Sequence, residues 1–257
     1  MLETRFDTDL ASPWRITEIG AGIVTRAPGE LKMTLPQATE RQYSNAQISD
    51  YTGRHFSWRP PVRLTVTARA SAPAEHLRGT AGFGFWNHPF VPGERSVHLP
   101  QAVWFFFSSP PSNMQLARGV PGPGWKAATF DATRWPFLAL LPTAPIGLLL
   151  MRIPALYNRL WPVGQRAIGV SEALLDGDLL AERHTYTIDW RMNGVTFAVD
   201  GQVAHEADTA PGGPLGFVAW MDNQYAIVTP QGQFGFGLVR VEQEQELVLE
   251  QVSIVEA

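Results

Sequence analysis

The stretch HTYTIDWRMNGVTFAVDGQ, residues 184–202, constrains the fold more than any other part of the chain. Residues 184–190 and 195–199 alternate apolar and polar side chains, the two-residue period of a strand with one buried face. Asn193-Gly194 lies between the runs, and both residue types tolerate positive φ, so a tight hairpin turn is predicted there. Asp200-Gly201 predicts a second turn. A lone hairpin is only marginally stable, so the chain must supply further strands to cover its apolar face.

It does. Val62–Ala70, VRLTVTARA, repeats the alternation, and Pro60-Pro61 marks its start because proline cannot donate into a ladder. Runs at 14–19, 22–25, 31–34, 44–51, 215–220, 234–241 and the tail ELVLEQVSIVE also read as strands. GTAGFGFW (79–86) is a strand whose glycines admit close packing on one side, and AVWFFFS (102–108), apolar on both faces, is a buried central strand. Gaps between strands are too short for a series of crossover helices, which excludes a parallel α/β fold. The prediction is an all-β jelly-roll sandwich of two antiparallel sheets, a single domain over 1–257.

Residues 109–180 interrupt this pattern as a loop and partly helical insertion. Ser109–Gly124 is rich in Pro and Gly, and an apolar run follows with Pro142, Pro145, Pro154 and Pro162 dividing it. No acid occurs between Asp131 and Glu172, while Arg134, Arg152, Arg159 and Arg166 fall inside. No piece reaches the roughly 20 apolar residues of a transmembrane helix. The segment 137–163 reads as a lid over the concave face, a plug of that face, or, through 142–163, a peripheral membrane contact. Formal net charge is −4 and no basic stripe stands out, which argues against a nucleic-acid partner. The absence of cysteine excludes disulfides and thiolate metal sites. No cofactor is indicated; structural calcium on oxygen ligands stays open. The polar, acidic N-terminus lacks a secretory pattern, so a cytoplasmic location is expected.

The hairpin resembles one in the laminarinase- and lichenase-like glycoside hydrolases of family sixteen. The matching residues are His184, Tyr186, Ile188, Asp189, Trp190, Gly194, Phe197, Val199, Asp200 and Gly201. RGTAGFGFWN resembles the strand before that family's catalytic strand, and GGPLGFVAW one lining its cleft. The resemblance implies the concanavalin A-like jelly roll and a carbohydrate-related role. It also implies a Glu-x-Asp-x-x-Glu pattern on the next strand, whose carboxyl pair carries out hydrolysis. Gln101–Ser109 has no carboxylate. The acids Glu242, Glu244 and Glu246 lie two apart near the C-terminus and read as a solvated edge.

Candidate site residues follow from the cleft strands. In WMDNQY, Trp220 is a stacking platform, Asp222 an acid or base, and Asn223, Gln224 and Tyr225 orienting groups; the structural alternative is a strand end turning into a loop. Trp86, Asn87 and His88 form a polar mouth. In NAQISDY, Gln47 faces a ligand and Asp50 either partners Asp222 in acid–base work or caps a turn. Trp104 and Phe106 bring aromatics where the family has acids. Three readings remain: a glycan-binding or atypical carbohydrate-active protein; a protein or enzyme handling an apolar small molecule under 137–163; and a non-catalytic scaffold docking a partner or membrane.

Overall fold

A computed structural model describes residues 1–7, 10, 12–89 and 98–256. The strands are β1 (Leu2–Thr4), β2 (Arg15–Ile19), β3 (Ile23–Ala27), β4 (Glu30–Leu35), β5 (Asn45–Ser49), β6 (Val62–Ala70), β7 (Thr80–Trp86), β8 (Gln101–Ser108) and β9 (Gly124–Asp131). Helices α1 (Trp135–Leu140), α2 (Ala144–Leu150) and α3 (Pro154–Ile168) come next. The chain closes with β10 (Ser171–Leu174), β11 (His184–Arg191), β12 (Gly194–Val199), β13 (Gln202–Ala207), β14 (Gly216–Asp222), β15 (Gln224–Val228), β16 (Phe234–Leu238) and β17 (Gln245–Glu256).

Two antiparallel sheets form the sandwich. One runs β13-β12-β11-β6-β17-β4-β3, with β1 beside β17; the other runs β10-β9-β8-β7-β14-β5-β2. The alternation read from the sequence sets the inner face of the first sheet, and pairing and packing select that of the second. Leu64, Val66, Tyr186, Ile188, Trp190 and Phe197 on the first sheet meet Phe83, Phe85, Phe105, Trp125 and Phe217 on the second, all buried. Fully burying one such ring contributes roughly 1.5–3 kcal/mol, and edge-on contacts such as Phe105 to Tyr186, at 5.0 Å, fix the geometry.

Two sequence expectations need correction. The hairpin turn is Met192–Asn193, with Arg191 paired to Gly194. Neither turn residue has positive φ, and nor does Gly194. Gly194 is needed for space: a Cβ there would lie 2.4 Å from the Ala207 carbonyl oxygen on β13. The second turn is as predicted, with φ of 50° at Asp200 and 77° at Gly201. Residues 109–180 also contain β9 and β10, and β9 lies directly beside β8 within the sheet. The prolines of the helical segment start helices rather than break them. α1, α2 and α3 each carry proline in the first two positions, where no N–H is required, and Pro162 alone lies inside a helix.

Candidate functional site

The outer face of the second sheet is a grid whose rows follow from strand register. The polar end row is Asn45, Asp222, Thr80, Ser108. The next is Gln47, Trp220, Gly82, Phe106, Lys126, and the one after is Ser49, Val218, Gly84, Trp104, Ala128 and Glu172. The last is Gly216, Trp86, Ala102 and Phe130. The glycines of β7 explain how large rings fit here. A Cβ on Gly82 would stand 3.1 Å from the Trp220 ring, and one on Gly84 2.6 Å from Cβ of Trp104.

Four of the candidates make one aromatic belt. Trp86 and Trp220 stack with centroids 6.5 Å apart, Trp220 meets Trp104 at 5.3 Å, and Trp104 stacks on Phe106 at 5.3 Å. His88 extends the belt by stacking on Trp86 at 4.8 Å. Trp220 and Phe106 are buried, whereas Trp86, Trp104 and His88 are half-buried. Tyr51, whose hydroxyl accepts from Trp86 Nε1 at 2.5 Å, and Met114 join the cluster. The residues packed on it come from strands and neighbouring loops. Helix α3 instead meets the loop below it, with Trp161 Nε1 donating to the Leu116 carbonyl at 2.7 Å.

The polar candidates behave differently from the expectation. Asp222 is fully enclosed. Its Oδ1 accepts from the Thr80 hydroxyl at 2.7 Å and the Gln224 N–H at 3.0 Å, and burial pushes its pKa up to about 6. Asp50 is also buried and raised to about 6, yet it accepts from Trp58 Nε1 and the Phe217 N–H. Asp50 pairs with β14 at Phe217, five residues from Asp222, so about 17 Å separates them along the strand. They are not an acid–base pair. Asn223 is consumed structurally: its side chain accepts from Ser44 N–H and donates to the carbonyls of Thr39, Gln42 and Val239. Asn87 likewise bridges Leu99 and Gln101. Gln47 does stand beside Trp220, its Oε1 accepting from Asn45 Nδ2 at 3.4 Å, while Gln224 is exposed and Tyr225 lies across Gly237.

One feature of this face escaped sequence reading. Lys126 and Glu172, both buried, pair at 3.7 Å, and Glu172 also accepts from the Ala117 N–H. Burial lowers the lysine pKa and raises that of the glutamate. No local signal marks the pair, because its members are 46 residues apart. Glu172 and Asp222 lie four strand spacings apart, about 19 Å, far beyond the separations used by either class of glycosidase. Among the described residues no cluster of His, Asp and Glu has metal-binding geometry, and no helix is long and apolar enough to cross a membrane.

Residues 163–215, from the end of α3 through the hairpin, match the model of glycosyl hydrolases family 16. No curated protein matches the chain by sequence. Among solved structures, one described with endo-acting O-glycanases of the human gut microbiota superposes with TM-score 0.56 at 12% identity, covering 99% of this chain and 98% of that one. A lichenase from a mouse hindgut metagenome gives 0.55 at 10%, covering 100% and 99%. The Bacillus licheniformis β-glucanase gives 0.53 at 11%, covering 100% and 98%. The matched hairpin, the two antiparallel sheets and these superpositions together show that the chain has the concanavalin A-like jelly-roll fold of such glucanases.

Proposed function

We propose that the outer face of the second sheet binds a glycan and does not hydrolyse it by a paired-carboxylate mechanism. The carrying observation is the belt Trp86–Trp220–Trp104–Phe106, two of whose rings are half-exposed on a sheet face where described carboxylates are buried and widely separated. Indole faces are apolar and flat and suit the C–H faces of pyranose rings, with Gln47 placed to read a hydroxyl. The fold supports the reading, since the superposing structures are glycan-acting proteins.

Titration calorimetry against β-1,3- and mixed-linkage gluco-oligosaccharides and mucin-type O-glycans tests it. The expected result is binding near 0.1–1 mM, about 4–5.5 kcal/mol, weakened tenfold or more in Trp104→Ala, with no new reducing ends. An inert protein across that panel, or one that releases sugar, sinks the reading. An apolar small molecule recovered by solvent extraction and displaced by the same variant would favour the rival occupant of this face.

A further inference from the structure

The helical segment has an exposed apolar surface that is not part of the aromatic belt. Along α1–α3, Trp135, Leu138, Leu141, Ile146, Leu149, Leu150, Ile153, Leu160 and Val163 are exposed, Ile146 at 66% and Leu149 at 62%. The β15–β16 hairpin adjoins this layer: Arg152 Nε donates to the Gln231 carbonyl, and Leu148 packs by Gly232. That hairpin exposes Phe234 and Phe236. Apolar side chains in such number on connected elements are unusual for a surface that faces only water.

The charges within the helical segment itself have one sign. Residues 132–171 hold four arginines and no acid, in a chain whose formal net charge is −4. Residues 223–239, including the hairpin, carry no charge at all. Arg152, Arg159 and Arg166 are exposed beside Ile153, Leu160 and Val163, and Arg118 joins them through Asn158 Oδ1. The helices are 6, 7 and 15 residues long, so they suit a bilayer interface rather than its interior. We propose that this apolar, arginine-flanked surface seats the protein on an anionic lipid bilayer. Apolar side chains enter the boundary between headgroups and acyl chains while guanidinium groups pair with lipid phosphates. A neutral protein groove would satisfy the apolar part alone; the absence of acids together with the arginine flank fits the negative surface potential of such a bilayer.

Vesicle flotation tests this with the full chain. Phosphatidylcholine vesicles containing 30 mol% phosphatidylglycerol are compared with pure phosphatidylcholine, at low and high salt. Partitioning is expected to be at least tenfold stronger on the anionic vesicles and to weaken with salt. The double variant Ile146→Asp/Leu149→Asp should lose that binding with an unchanged melting temperature, because both side chains already face solvent. Arg152→Gln/Arg159→Gln should weaken it about fivefold per lost charge. No partitioning to either vesicle, or equal partitioning to both, overturns the proposal. So does a stable dimer at micromolar concentration that Ile146→Asp/Leu149→Asp dissolves, because the surface would then be a self-interface.

Discussion

Asp222 shows how a residue that looks catalytic in the sequence becomes structural in the fold. It ends an apolar strand beside Trp220, as a cleft acid would, but the register places it under Thr80 and Gln224, out of reach of solvent. Its folded pKa, about 6, lies above the ordinary 3.8. The folded state therefore holds the proton more tightly than the unfolded one. Any stabilisation from this group is complete below pH 3.8 and is lost as pH rises through about 6. Asp222→Asn keeps an oxygen for the Thr80 and Gln224 donors, turns an amide N–H toward the Tyr43 hydroxyl that donates to Oδ2, and removes the buried charge. Relative to wild type it should be neutral at pH 4 and more stable above pH 6, by at most about 3 kcal/mol. Urea denaturation at the two pH values measures this; a variant less stable at pH 7 would show that the charge itself holds the row together.

At the level of elements, the 184–202 hairpin was legible from alternation, and both its strands form where the pattern places them. The turn departs from the Asn-Gly expectation because that dipeptide is a purely local signal, whereas the register answers to the pairing of β11 with β6 and of β12 with β13. Here Gly194 serves β13's approach. Gly194→Ala should then cost about 1–3 kcal/mol, through contact with the Ala207 carbonyl. By contrast Gly201→Ala should cost about 1 kcal/mol, from positive φ alone. Thermal unfolding of both variants separates the two causes: equal small losses would return Gly194 to an ordinary turn role. β9 lacks a local strand signature for a related reason. GWKAATFD carries a lysine and small residues, and it becomes a strand because β8 offers a complete ladder and Glu172 meets the lysine.

Over the whole molecule, the Lys126–Glu172 pair ties β9 to β10 at the end of the sheet where the loop carrying Ala117 and helix α3 sit. Removing one partner leaves a buried charge alone, so Lys126→Met or Glu172→Gln should destabilise by about 3–5 kcal/mol, while Lys126→Met/Glu172→Leu should recover most of the loss. Chemical denaturation of the set checks this, and additive losses in the double variant would contradict it. What the sequence by itself determined is the period-two alternation of β6, β11 and β12, and with it which of their side chains face the core, because a strand's faces depend on local spacing alone. It also showed that 101–108 holds aromatics and no acid. Only the tertiary structure decided the rest. Trp86, Trp104 and Trp220 come from three strands, and their belt exists only through the pairing of β7 with both β8 and β14. Whether Asp222, Asp50 and Asn223 meet a ligand or the backbone depends on which chain covers them, and that is a property of long-range packing that no local spacing encodes.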